Sequence, residues 1–322
     1  MSECTATLPA ELIDYTIDFL HDDSQSLKAC ALTCKAWLAS SRFHLFGTIT
    51  LATEKDLGRF VTFGSNAGSS QVLPYIRTLS ISKTSIFEAC LFLASGAHSV
   101  EHTPWETTVP QRFPSNKLPS LRTLHLKGFQ SFWQPNSFSL SSFAKVFPTI
   151  SCVKLENCSV SSLDDLAKLL GELKDVESLC LDGVSFGRSS ATLAMLTRSW
   201  EASTAINISL KRLRIDNSSK PITDILYWLA STSSVDSLKS LAFTRVSTKG
   251  TYLDDVNEFL RSLGDGLEEL TLGVEEESEL NLSELPLSLD ANTSLRSLTI
   301  VKSKNPSSNC GDYSHPIDVT VL

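Results

Sequence analysis

The strongest spelling of chemistry in the chain is His98-Ser99-Val100-Glu101-His102. Two histidines and a glutamate at this spacing can hold a zinc ion and supply a general base, provided one helix carries all three on one face. Gly96 stands just before the string and Pro104 just after it, which leaves too little helix for that geometry. The reading is therefore a loop coincidence. Cys30 and Cys34 stand four apart, but no histidine is spaced to complete a metal site with them, so both read as core thiols. There is no Gly-rich phosphate loop, no G-x-S-x-G elbow and no C-x-x-C pair. The chain is read as non-catalytic, without metal or cofactor. Arg212 and Arg214 are of a different kind. At alternate positions of one strand they put two guanidinium groups on one face, able to fork onto a carboxylate or a phosphate. That is binding chemistry.

Composition narrows what such a face could bind. The 322 residues include 28 Lys and Arg against 36 Asp and Glu, a formal charge of -8, with a pI near 5.3. Nucleic acid as the main partner would require the opposite sign or a concentrated basic face. Hydrophobic residues make up 42%, ample for a core. The longest apolar run, Ala89 to Ala94, falls far short of the ~18 residues needed to span a bilayer. No secretory signal is visible at Met1 to Thr7, and the cysteines are scattered rather than paired. The expectation is a reduced, intracellular protein, cytoplasmic or nuclear, with no membrane partner.

The residues that could bind must be positioned by a repeat. From Ile76 onward the pattern L-x-x-L-x-L recurs with aliphatic substitutions, starting at Ile76, Leu121, Ile150, Val176, Leu210, Leu238, Leu267 and Leu295. Successive starts lie 45, 29, 26, 34, 28, 29 and 28 residues apart. The closing L-x-L of each unit alternates as a strand with one buried face must. Helical stripes follow several of them: Leu163, Leu166, Leu169, Leu170 and Leu173; Leu193, Leu196 and Trp200; Ile222, Ile225, Leu226 and Leu229; Leu253, Val256, Phe259, Leu260 and Leu263. Gly264 suits a helix exit. A strand and a helix every ~28 residues resembles the leucine-rich repeat, in a degenerate form. The resemblance implies an α/β solenoid over residues 48–322, with parallel strands on its concave face and helices outside. A Pro-rich loop near 96–119 interrupts the rhythm, and the tail ending on Ile317, Val319 and Val321 is either a modest cap or the start of another unit cut short.

Residues 1–47 do not belong to the repeat. Pro9 and Glu11 suit a helix start, and Leu12, Ile13, Ile17 and Leu20 share a face. Asp23 or Ser24 suits the cap of a second helix carrying Leu27, Ala31, Cys34 and Leu38. Ser41 to Phe46 suggests a short third helix before a strand at Thr48 to Leu51. Leu8-Pro9-x-Glu11-Leu12-Ile13, Ile17, Leu20, Leu27, and Leu32-Thr33-Cys34-Lys35-x-Trp37 together resemble the F-box motif in its fungal form. Thr16 and Thr33 stand where that family more often has aliphatic residues.

An N-terminal three-helix F-box followed by leucine-rich repeats implies the substrate-recognition subunit of a Skp–cullin–F-box ubiquitin ligase. The implied partners are a Skp-type linker protein, through it a cullin scaffold, and an unknown protein substrate. Leu8, Pro9, Glu11, Leu12, Ile17, Leu20, Leu27, Leu32, Cys34 and Trp37 would make up the linker site. A module of about forty residues is marginal without a partner, which agrees with a docking role. The substrate would meet the concave strand face at His125, Lys154, Glu156, Arg212, Arg214 and Thr244. The alternative is a leucine-rich-repeat scaffold with no ubiquitin role, its N-terminal helices merely capping the first strand.

Overall fold

Pro9 opens the first helix in extended conformation, its carbonyl accepting from Leu12 N and Ile13 N, and α1 runs Ala10–Asp18. Asp23 caps α2 (Ser24–Thr33) by accepting from Gln25 N and Ser26 N at 3.0 and 3.1 Å. These backbone N–H groups have no partner within the helix, so a carboxylate at the N-cap satisfies them. The expected continuation of α2 through Cys34 and Leu38 does not occur. Cys34 is extended (φ -158°), and a separate α3 spans Lys35–Leu45. Thr33 and Cys34 are both weak helix formers, so the break costs little. Asp14 and Asp18 on α1 accept from Ser40 Oγ and His44 Nε2 on α3, the second at 2.7 Å. Ile17, Leu27 and Cys30 form the small core between the helices.

These elements belong to the first of two compact units, Met1–Leu124 and His125–Leu322. The computed structural model describes residues 9–82, 118–129, 149–160, 163–186, 208–216, 222–230, 232–246, 252–275 and 287–303. The first unit continues through β1 (Thr48–Leu51), α4 (Glu54–Ser65), two 3-10 turns and β2 (Thr78–Ser82). β1 and β2 pair in parallel, Thr48 opposite Thr78. Helix α4 was not expected. Thr53 and Asp56 cap it reciprocally, side chain to backbone in both directions. The strand–helix rhythm therefore begins one unit before Ile76, at Phe46-x-x-Ile49-x-Leu51.

A single device sets the register. The carbonyl of Gly47 accepts from both Arg77 N and Thr78 N at 2.9 Å, and that of Arg77 accepts from Arg122 N and Thr123 N at the same distance. In the second unit the carbonyls of Ser151, Glu177, Lys211, Lys239 and Glu268 each receive two N–H groups, from the residue before the next strand and from that strand's first residue.

The second unit is α/β with a large parallel sheet. After β3 (Thr123–Lys127) come β4 (Cys152–Glu156), β5 (Ser159–Val160), α5 (Leu163–Glu172), β6 (Ser178–Asp182), β7 (Ser185–Phe186) and β8 (Arg212–Asp216). Then follow α6 (Ile222–Ala230), α7 (Ser234–Ser237), β9 (Ser240–Val246), α8 (Tyr252–Leu263), β10 (Glu269–Glu275) and β11 (Ser297–Ser303). Strands β4, β6, β8, β9, β10 and β11 are neighbours in that order, and every pairing is parallel. The strand leucines go inward. Val153, Leu155, Leu179, Leu181, Leu213, Ile215, Leu241 and Phe243 are buried, against Leu166, Leu169 and Leu170 of α5, Ile225 and Leu229 of α6 and Val256 and Leu260 of α8 in the same core. Burying each such side chain is worth about 1.5–3 kcal/mol.

The chain leaves β3, β4 and β6 through a left-handed residue: Gly128 (φ 72°), Asn157 (φ 51°) and Gly183 (φ 60°). Asparagine is among the few side-chain-bearing residues that accept this conformation readily. One residue later, Phe129, Cys158 and Val184 are each buried. Asn292 ties the end of α8, its Nδ2 donating to Leu260 O and Gly264 O, both at 2.8 Å. Gly264 does end α8, at φ 55°, with a 3-10 turn following. The stripe Leu193, Leu196, Trp200, the 96–117 part of the Pro-rich loop and the tail from residue 304 lie outside the described residues. No helix among the described residues is long and apolar enough to cross a membrane.

Candidate functional site: an apolar helix face and a charged sheet face

The first surface is built on α1. Ile17 turns inward, and with roughly 100° per residue Leu12, Tyr15 and Phe19 fall on the other side of the helix. Their exposures are 50%, 62% and 70%. Tyr15 and Phe19 meet edge to face with ring centroids 4.8 Å apart. On α2, Leu32 is 87% exposed. Scattered apolar residues on a surface are ordinary, but a stripe at i, i+3 and i+7 is not.

The expected linker-site residues divide accordingly. Pro9, Glu11, Leu12, Leu32 and Cys34 are exposed, Leu20 and Trp37 are half-buried, and Ile17 and Leu27 are enclosed within the helices. Leu8 lies outside the described residues. Ile17 and Leu27 are buried and contribute to the core between the helices. Tyr15 and Phe19 were missed, although their spacing from Leu12 is legible in the sequence. The hydroxyls of Thr16 and Thr33 donate to Leu12 O and Ala29 O within their own helices, so neither is left without a partner.

The second surface is the outward face of the parallel sheet. Glu156 Oε2 accepts from His125 Nε2 at 2.9 Å and Oε1 from Lys127 Nζ at 2.5 Å. The Lys127 bond, helped by the charges of Lys127 and His125, holds the Glu156 carboxyl below its ordinary range. Arg214 Nε donates to Asp216 Oδ2 at 2.5 Å. The other oxygen, Oδ1 of Asp216, is buried and has no hydrogen-bond partner among the described residues. Cys180 stands between Lys154 and Arg214 in the register. Burial, then the Asp216 charge, pushes its thiol up to about 11.

Of the expected substrate-face residues, His125, Lys154, Glu156, Arg212 and Arg214 all stand on exposed or half-exposed positions of this face. Thr244 lies on β9, with its side chain outside the described residues. Arg212 and Arg214 do share one side of β8. They differ in environment, because among the described residues Arg214 has a carboxylate partner and Arg212 has none. His98, Glu101 and His102 lie outside the described residues. Cys30 is buried and Cys34 exposed. No protein-family model matches the chain, and no curated protein matches it in sequence.

Proposed function

We propose that the chain is the substrate-recognition subunit of a Skp–cullin–F-box ubiquitin ligase. The three N-terminal helices act as an F-box that docks on a Skp-type linker, and the parallel strands act as leucine-rich repeats that hold the target. The observation that carries this reading is the outward apolar stripe Leu12, Tyr15 and Phe19, on a helix whose opposite side already packs inward. An aromatic pair on a rigid helix is the kind of anchor that dominates protein interfaces. The residue order from Pro9 to Trp37 supports the same reading. The protein contributes no catalytic group. It places a target beside enzymes recruited through the linker and cullin, so its chemistry is one of positioning.

A pull-down with purified Skp-type linker tests it. Wild type is retained, whereas Leu12→Ser/Phe19→Ser is lost from the resin while melting as wild type does. Failure of the wild type to bind removes the ubiquitin role and leaves a protein-binding scaffold.

A further inference from the structure

The outward face of the sheet carries charges that its own pairing does not use. His125 and Lys127 engage Glu156, Arg214 engages Asp216, Lys211 engages Glu177, and Lys239 engages Glu268. Lys154 on β4, Arg212 on β8 and Glu269 on β10 are exposed, and among the described residues none of the three has an ion-pair partner. The register fixes what lies between them. Lys154 is level with Cys180 of β6 and Arg212 with Ser178, so the two stand diagonally across β6, while Ser240 of β9 lies directly between Arg212 and Glu269, with Ala242 next along the same face. Long charged side chains thus flank two troughs floored by small residues. At neutral pH the Cys180 thiol is uncharged, so it does not oppose an anion there. Glu156, Asp182 and Asp216 lie level with one another at the far end of these strands and repel an anion from that end.

Resting on the reading of this sheet as the target-holding half, we propose that it binds an extended peptide of a partner protein laid across the strands. An acidic side chain sits over β6 between Lys154 and Arg212, and a basic side chain sits over Glu269. Three strand spacings separate the two positions, roughly 14 Å, or about four residues of extended chain. The recognised feature is therefore a carboxylate and a cation about four residues apart, and charge complementarity selects it over a uniformly acidic segment.

The test is selection of a random displayed peptide library on the full chain, with no linker protein present. Enriched peptides carry an acidic and a basic residue about four apart. Measured by fluorescence anisotropy with a labelled selected peptide, Arg212→Glu and Glu269→Arg each weaken binding about tenfold. Arg212→Gln weakens it less. Exchanging the two charges in the peptide restores binding to the Arg212→Glu/Glu269→Arg double variant. All three positions are exposed, and melting curves matching wild type confirm folding. Enrichment of peptides without the charge pair, affinity indifferent to Arg212→Glu, or no enrichment overturns the proposal. Linker retention is scored separately, so loss of the ubiquitin reading and loss of this one are distinguishable.

Discussion

The helical module and the strand unit distribute hydrophobicity in opposite ways. In β6 the apolar residues Leu179 and Leu181 are wholly inside, and Ser178, Cys180 and Asp182, which alternate with them, carry small or charged groups outward. In α1 only one side is inside, while Leu12, Tyr15 and Phe19 present a second apolar side to solvent. The first pattern makes a polar, charged outer surface. The second leaves apolar area that lowers free energy only when something covers it. On the proposed reading, the difference puts stability in one region and docking in the other.

Substitution tests that division most directly. Leu179→Ala should cost about 3 kcal/mol of unfolding free energy in a denaturant titration, because a strand leucine in a packed core leaves a cavity. Leu12→Ala should cost no more than about 0.5 kcal/mol, as exposed positions do. Equal costs at the two sites would break the comparison. Conversely, Phe19→Ser should reduce affinity for a Skp-type linker by about 2 kcal/mol in calorimetry, the loss typical of an aromatic anchor, and leave the melting temperature in place. Asn292→Ala removes both bonds to the end of α8 and should cost about 1–2 kcal/mol, read by thermal unfolding. Thr53→Ala should cost about 1 kcal/mol through its capping box, and Thr53→Ser should recover most of it.

The smallest effect is in pH. Glu156 titrates below its ordinary 4.5 in the folded chain, so its contribution is complete above that value and is lost as pH falls through the lower folded one. Stability of Glu156→Gln should therefore fall less steeply on acidification than that of wild type, as denaturant midpoints at successive pH values would record.

The strands were legible because a period of two leaves no ambiguity about faces. Leu124 and Leu126, Val153 and Leu155, and Leu270 and Leu272 stand where alternation puts them. Helices α5, α6 and α8 were legible from their leucine stripes. α4 was not, since Gly58 and Gly64 dilute its pattern; its signal was Thr53 and Asp56 three apart. Cys34 misled because its spacing from Cys30 is helical while its own backbone is extended, at a pair of weak helix formers where α2 ends and α3 begins. At the sites, residue type pointed to Arg212 and Arg214 together. Only the side-chain bond within β8 distinguished Arg214, held by Asp216, from Arg212, which has no ion-pair partner among the described residues. Ile17 and Leu27, the two buried residues of the ten expected at the linker site, show the same limit, since an apolar stripe read from spacing does not say which of two sides the molecule keeps for itself.

Gly47 joins α3 to β1 at a place with no spare room. A methyl group there would lie 2.8 Å from Phe43 O and 2.9 Å from Arg77 Nη2, and the Arg77 guanidinium sits 3.6 Å above the Phe43 ring. Any side chain at this joint must displace either the last turn of α3 or the Arg77 side chain, so the step from helix to strand is open to glycine alone without rearrangement.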